Sequence, residues 1–197
     1  MKKIFFILCL LAPPAFADRL SLTDISTYLN GLDTAEGAFT QINADGSLSQ
    51  GKLYIKRPGR IRFEYIPPND ALVIAGGGQV AVFDAKSDAA PTRFPLAATP
   101  LSIILDRDVD LTQQANVIAH DSDGTRTLVT LQDANRPEMG YLQMIFTANP
   151  TQLRQWVVTD EANAQTTVIL GDWVVGQRIP NIRFNILAEM RERGFDP

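Results

Sequence analysis

A chain of 197 residues carries 18 Lys and Arg against 22 Asp and Glu, a formal charge of −4, with one cysteine and one histidine. A mildly acidic chain without a basic run is a poor candidate for nucleic acid or for lasting adhesion to anionic lipid. One histidine and one cysteine also fall short of a common zinc ligand set.

The opening "MKKIFFILCLLAPPAFADR" has Lys2 and Lys3 at its start, an apolar run from Ile4 to Leu11, and "AFA" at Ala15 to Ala17. These are the parts of a cleaved export signal, and the run is far shorter than the roughly 20 residues of a spanning helix. We expect residues 1–17 to be removed, leaving 18–197 as one exported, soluble domain. About 180 residues suffice for one sizeable core and are few for two. Loss of Lys2 and Lys3 moves the formal charge from −4 to −6. Cys9 leaves with the signal, and Phe6, Ile7 and Leu8 before it are not the small residues of a lipoprotein cleavage site. Neither a disulfide nor a lipid anchor is expected.

From Ser21 to Leu32 the residues Leu22, Ile25, Tyr28, Leu29 and Leu32 fall on one helical face behind the capping-box-like Ser21 to Asp24, which predicts an amphipathic helix. Two-residue alternation then takes over, broken by "DG" at Asp45, "PPND" at Pro67, "GGG" at Gly76, a second "DG" at Asp123 and "NP" at Asn149. Such a pattern reads as an antiparallel meander. Strands are expected at 37–44, 47–57, 60–66, 71–75, 79–84, 114–121, 125–132, 141–148, 152–159, 165–170 and 182–186. Eleven short strands exceed what one flat sheet usually holds, so the sheet should curl into a barrel or half-barrel.

Between the fifth and sixth strands, "APTRFPLAATP" leads to Thr99 as a cap, Pro100 at a first helical position, and an apolar stripe of Leu101, Ile104 and Leu105. A helix of about two turns must lean on something, and the concave face of the sheet is the available support. The closing "FNILAEMRERGFDP" predicts a further short helix over 187–193, docked by Phe195. The fold class expected is therefore mainly β with lid helices: a curled antiparallel sheet forming an incomplete barrel around an apolar cavity.

One charge interrupts this division. Leu53, Ile55 and Arg57 share one strand face, while Lys52, Tyr54 and Lys56 share the other. In the next strand Ile61, Phe63 and Tyr65 oppose Arg60, Arg62 and Glu64, an apolar inside and a charged outside. Arg57 thus points with the apolar set. It either lies at the rim with its guanidinium in water, or its five donors are held where backbone carbonyls satisfy them.

At these residues the sequence resembles the periplasmic lipoprotein carrier family, LolA. The matching stretches are "GAFTQ" at Gly37, "GKLYIKRPGRIRFEY" at Gly51, the "PP" turn, "LVIAGGGQVAVFD" at Leu72 and "TPLSIIL" at Thr99. The resemblance implies a periplasmic monomer without cofactor or metal. Its partners would be acylated lipoproteins, an inner-membrane ATP-binding transporter that releases them, and an outer-membrane receptor or the outer membrane itself. It also implies that Arg57 latches the lid by bonding backbone near Leu29, Ile104 and Leu105, and that Ile61, Phe63 and Val73 belong to the acyl-chain cavity. The face pattern adds Leu53, Ile55, Tyr65, Leu101 and Ile104 to that cavity. The closing segment departs from the extended, proline-containing finish usual in the family.

No enzyme reading gathers comparable support. His120 beside Asp121 ends an alternating strand; "GSLSQG" at Gly46 lacks the G-x-S-x-G spacing of a nucleophile elbow. "DRDVDL" at Asp106 starts like a calcium loop but has Leu111 and Val117 at its sixth and twelfth positions. Gly76 to Gly78 lacks the lysine and helix of a phosphate loop. The alternatives kept open are a carrier of free lipid or isoprenoid and a sensor of mislocalised lipoproteins.

Overall fold

A computed structural model of the chain describes residues 19–84, 87, 89–113 and 116–196. The export signal expected at 1–17 lies outside them, as does Gln114 at the start of one expected strand. Helix α1 (Leu22–Gly31) begins where Ser21 Oγ accepts the Asp24 N–H at 3.1 Å, the cap its sequence called for. Ile25, Leu29 and Leu32 are buried, and Leu22 and Tyr28 pack against the same core.

Eleven strands follow: β1 (Thr34–Ile42), β2 (Leu48–Lys56), β3 (Arg60–Tyr65), β4 (Leu72–Gly76), β5 (Gln79–Phe83), β6 (Thr92–Pro95), β7 (Val117–Ser122), β8 (Arg126–Leu131), β9 (Tyr141–Thr147), β10 (Gln152–Thr159) and β11 (Gln165–Val175). They form one antiparallel sheet in the order β6-β5-β4-β3-β2-β1-β11-β10-β9-β8-β7. Its two halves meet where β1 pairs with both β2 and β11. The sheet curls and does not close, since β6 and β7 remain at its edges. Register shifts between Gly37 and Phe39, Leu153 and Gln155, and Val117 and Ala119 are irregularities of the kind that bend a strand. The incomplete barrel that the alternation predicted is the architecture observed.

Ten expected strands are present with small changes of boundary, β11 running past the expected end at Leu170 to Val175. The strand expected at 182–186 is instead a 3-10 turn, Asn181–Phe184. Phe184 and Ile186 are both buried, so an alternating pattern is present, but in a turn leading into a helix it arises from docking onto a surface rather than from pairing. Strand β6 was not anticipated: three of its four residues are exposed and it ends on a proline, a composition fit for an edge. The second lid helix is also less than expected. Pro100–Ser102 is a single 3-10 turn, and one further bond runs from the Leu105 N–H to the Leu101 carbonyl at 3.2 Å. Thr99 and Ser102 hydroxyls bond the Leu96 and Thr99 carbonyls, local bonding that competes with a regular helix.

Two cores result. The larger lies on the concave face and under the lid, with Phe39, Leu53, Ile55, Ile61, Phe63, Met144, Phe146 and Trp156 at its centre. The smaller lies on the opposite face of β2 to β5. There Tyr54, Leu72, Ile74, Ala81 and Phe83 are covered by Ile179, Phe184 and helix α2 (Ile186–Glu192), with Ile186, Met190 and Phe195. The outer face of β3 is therefore not a solvent face. Arg62 is held by Glu64 at 2.6 Å and Glu189 at 2.9 Å, Arg183 reaches Glu64 at 3.3 Å and lies 4.5 Å over the Tyr54 ring, and Lys56 donates to the Ile179 carbonyl at 2.7 Å. Charges that look solvated in the sequence fasten the chain's last twenty or so residues across the sheet.

Candidate functional site

Strand β2 ends at Lys56, and the turn into β3 lifts Arg57 over the rim of the concave face. Gly59 takes φ +70° in that turn, a conformation open to glycine at little cost, and its N–H donates to the Leu105 carbonyl at 2.7 Å. Arg57 N–H in turn donates to the Asp33 carbonyl at 2.9 Å. The backbone of the turn thus touches both lid segments before any side chain is considered.

The Arg57 guanidinium completes the link. It donates to the Leu29 carbonyl near the end of α1. On the other side Nε and Nη2 donate to the Asp106 carbonyl at 3.0 and 2.6 Å, and Nη2 also lies 3.3 Å from the Arg107 carbonyl and 3.1 Å from Asn30 Oδ1. The Leu29 carbonyl also accepts the Leu32 N–H at 3.1 Å, so the guanidinium takes up its second lone pair. Burial pulls the guanidinium pKa down, and Asp33, Asp106 and Asp108 nearby oppose that; an arginine stays charged under any such balance. Its backbone acceptors are Leu29, Asp106 and Arg107, so beyond α1 they fall just past Ile104 and Leu105, whose side chains are buried beneath.

Two further side chains tie the lid segments to each other. Asn30 bonds both backbone groups of Val109, each at 2.9 Å, and Ser26 Oγ accepts the Leu111 N–H at 2.9 Å while donating to the Leu22 carbonyl at 2.7 Å. The sequence reading missed both. "NG" at Asn30 signals a helix end but not what its amide holds, and Ser26 is a small polar residue on an apolar helix face, a weak signal of a buried bond.

Beneath the lid the eight cavity candidates share one cluster. Leu53, Ile55, Ile61, Phe63 and Ile104 are buried, while Tyr65, Val73 and Leu101 are partly buried against them. Phe63 meets Phe39 edge-on at 5.3 Å and Trp156 at 6.3 Å, the geometry ring quadrupoles favour. Burial pushes the Tyr65 hydroxyl up to about 12, against the opposing effect of its bond to Gln41. It is neutral, so this face presents an uncharged lining. These side chains pack against one another and against the lid segments in a single cluster. A cleft of about 490 Å³ already opens between α1 and β10–β11, lined by Tyr28, Leu32, Leu153, Arg154 and Trp173 among others.

The other motifs make bonds within the fold. His120 Nε2 bonds the Leu20 carbonyl at 2.9 Å, and Asp110 bonds the Thr112 backbone and hydroxyl. Ser47 and Ser49 belong to a turn network with Asn43 and Asn69. Gly77 and Gly78 take positive φ in the β4–β5 hairpin.

Residues 30–187 match the family model described as outer membrane lipoprotein carrier protein LolA, a span that takes in Arg57 and the 100–111 lid segment. A protein of Xylella fastidiosa strain Temecula1, named outer-membrane lipoprotein carrier protein, is 29% identical over 197 residues, covering 93% of this chain and 89% of its own. A Legionella pneumophila strain Corby protein of the same name is 31% identical over 88 residues, 43% of this chain and 44% of that one. Among solved structures, a LolA superfamily protein from Nitrosomonas europaea aligns over 84% of this chain and 98% of its own, with a TM-score of 0.46 at 9% identity.

Proposed function

The chain belongs to the outer membrane lipoprotein carrier family, LolA, and on that premise we propose that it is a periplasmic carrier of acylated lipoproteins. In this reading residues 1–17 direct export and 18–197 form the carrier domain. Lipoproteins released from the inner membrane by an ATP-binding transporter place their acyl chains on the concave apolar face, and the carrier yields them to an outer-membrane receptor or to the outer membrane itself. The carrier makes and breaks no covalent bond.

The single observation that carries the reading is Arg57, a permanent charge whose hydrogen bonds join two lid segments over a filled apolar face. Three acyl chains of about 15 methylenes, at about 0.8 kcal/mol each, represent roughly 36 kcal/mol of gross transfer energy. Bonds from a charged donor are worth about 1.5–3 kcal/mol apiece, so the closed lid cannot keep cargo out. It can bias the balance. Every contact Arg57 regains on closing favours the empty state, and that opposition to loading helps unloading. A single permanent charge suits this use because it does not titrate away over any physiological pH.

The test is release and delivery. Purified protein is added to spheroplasts of a Gram-negative cell, and the supernatant is probed for lipoproteins bound one to one. Such complexes, with Arg57→Leu keeping its cargo when acceptor membranes are supplied, are the expected result. A folded protein that takes up an apolar dye but releases no lipoprotein would move the reading to free lipid or to sensing.

A further inference from the structure

On the outer face, opposite the lid, the chain's last segment walls a second pocket. It has a volume of about 470 Å³ and lies between Arg60 and Arg93 on the sheet, Gly76 at the β4–β5 hairpin, and Phe184, Ile186 and Leu187 of the last segment. Among the described residues no acidic side chain lines this pocket; its polar side chains are two guanidiniums, two asparagine amides and one glutamine amide. The sheet register explains the arrangement. Arg62, Ile74, Ala81 and Arg93 form one row across β3 to β6, and Arg60 sits two residues before Arg62 on the same face. The opposite wall is fixed, because Phe184 and Ile186 are buried in the smaller core and a Cβ on Gly76 would collide with the Phe184 carbonyl oxygen.

The two arginines have donors to spare. Among the described residues Arg60 reaches only the Lys56 carbonyl at 3.3 Å and Asn181 Oδ1 at 3.5 Å, and the Arg93 side chain has no hydrogen bond or ion pair. Other arginines of this face differ: Arg62, Arg183 and Arg193 are all paired with carboxylates. Paired arginines fasten the segment, and the unpaired two face the pocket it creates.

From this we infer that the pocket between the β4–β5 hairpin and the 181–187 turn is a binding site for the phosphate-bearing headgroup of an anionic phospholipid. Guanidinium is the side chain best matched to phosphate oxygens. Arg60 and Arg93 are three strands apart and two residues out of row, about 16 Å between backbones at ordinary strand spacing and rise, too wide for both to grip one small ion directly. That span fits a headgroup with a phosphodiester at one arginine and further oxygens within reach of the amides and the other. Leu187 on the pocket wall is 44% exposed and Ile182, next to Asn181, is 63% exposed, placing large apolar side chains where a lipid's glycerol and first methylenes would lie. The acidic charge of the whole chain works against lasting adhesion, so the contact is local and brief, as a shuttling protein requires. The site is separate from the concave face and does not depend on what that face carries.

The test follows the Gly76 and Gly77 amide signals by NMR while dihexanoyl phosphatidylglycerol, dihexanoyl phosphatidylcholine or inorganic phosphate is added below micelle-forming concentrations. Saturable shifts with phosphatidylglycerol are expected, at least fivefold weaker in Arg93→Gln and in Arg60→Gln and weakened by salt, with little response to the other two. Arg93 is exposed on an edge strand, so its variant folds. Equal binding of phosphatidylcholine, equal binding of inorganic phosphate, indifference to Arg93→Gln, or shifts confined to residues around Phe63 and Trp156 would each overturn the assignment. None of those results would bear on lipoprotein release.

Discussion

The side-chain amide of Asn30 forms a reciprocal pair with the backbone of Val109: Nδ2 donates to the Val109 carbonyl and the Val109 N–H donates to Oδ1, each at 2.9 Å. Val109 is fully buried, so neither backbone group has water as a substitute. Oδ1 also accepts from Arg57 Nη2 at 3.1 Å. One amide therefore joins the end of α1, the 106–111 loop and Arg57, and bonds together two segments that are distant in sequence.

Asn30→Ala is expected to lower unfolding stability by about 1–3 kcal/mol, the cost of leaving buried backbone groups unpaired. Hydrogen exchange separates this from a general loss: amides at Val109 and Leu111 should exchange faster while those of β9 and β10 keep their protection. Equal acceleration throughout would mean that Asn30 supports the fold and not the lid.

Arg57 should not be replaceable by lysine. A lysine ammonium is a point donor on a flexible stem and cannot present the fork that reaches Leu29 on one side and Asp106 on the other. Spin labels at Thr27 and Arg154, both exposed and flanking the α1 cleft, should show one narrow distance distribution in the parent, a longer and broader one in Arg57→Leu, and an intermediate one in Arg57→Lys. Identical distributions in all three would remove the latch.

Phe63 is buried among Phe39, Tyr65 and Trp156. Phe63→Ala is expected to cost about 3–5 kcal/mol in denaturant unfolding of the empty protein, by lost transfer energy plus the cavity left behind. A loss below about 1 kcal/mol, well under the range for such truncations, would show that the lid settles into the void and that the concave face is held loosely.

The curled meander was legible because period-two alternation and turn residues are local signals, and ten strands could be placed from them. What escaped depended on partners far along the chain. Thr92–Pro95 becomes a strand because β5 offers an edge, not because of its own pattern. Residues 182–186 alternate like a strand yet dock as a turn, since β2 to β5 present Tyr54, Ile74 and Phe83 for them to cover. The same blindness made Arg62 and Glu64 look solvated: their partners Glu189 and Arg183 lie more than a hundred residues on. Arg57 stood out for the opposite reason, as a charge that breaks its own strand's face pattern. Its position on the rim was readable from that pattern, while carbonyls near Leu29, Ile104 and Leu105 were named only by the family resemblance, and Asn30 and Ser26 gave at most a weak signal.

Glu189 offers a pH-dependent test of how the last segment is held. Burial raises its pKa, but bonds from Arg193 and Arg62 outweigh that and leave it below its ordinary value of 4.5. Its side chain and that of Arg62 are 14% and 12% exposed, so solvent screening is limited. A carboxylate depressed on folding contributes stability that is fully present above its unfolded pKa and is lost as pH falls through the lower folded value. At neutral pH Glu189→Gln should therefore be less stable by about 1–3 kcal/mol, and the gap between the two proteins should narrow as pH drops from just below 4.5. The difference is the informative quantity, because other carboxylates titrate in both proteins. Fluorescence cannot report it locally, since both tryptophans, Trp156 and Trp173, belong to the concave side; exchange at the Phe195 amide, bonded to the Met190 carbonyl at 2.9 Å, can. Protection there should be lost in Glu189→Gln at neutral pH and in the parent only under acid. A gap that stays constant down to strongly acid pH would mean that the charge on Glu189 does not fasten α2, and that the apolar contacts of Ile186 and Met190 hold it alone.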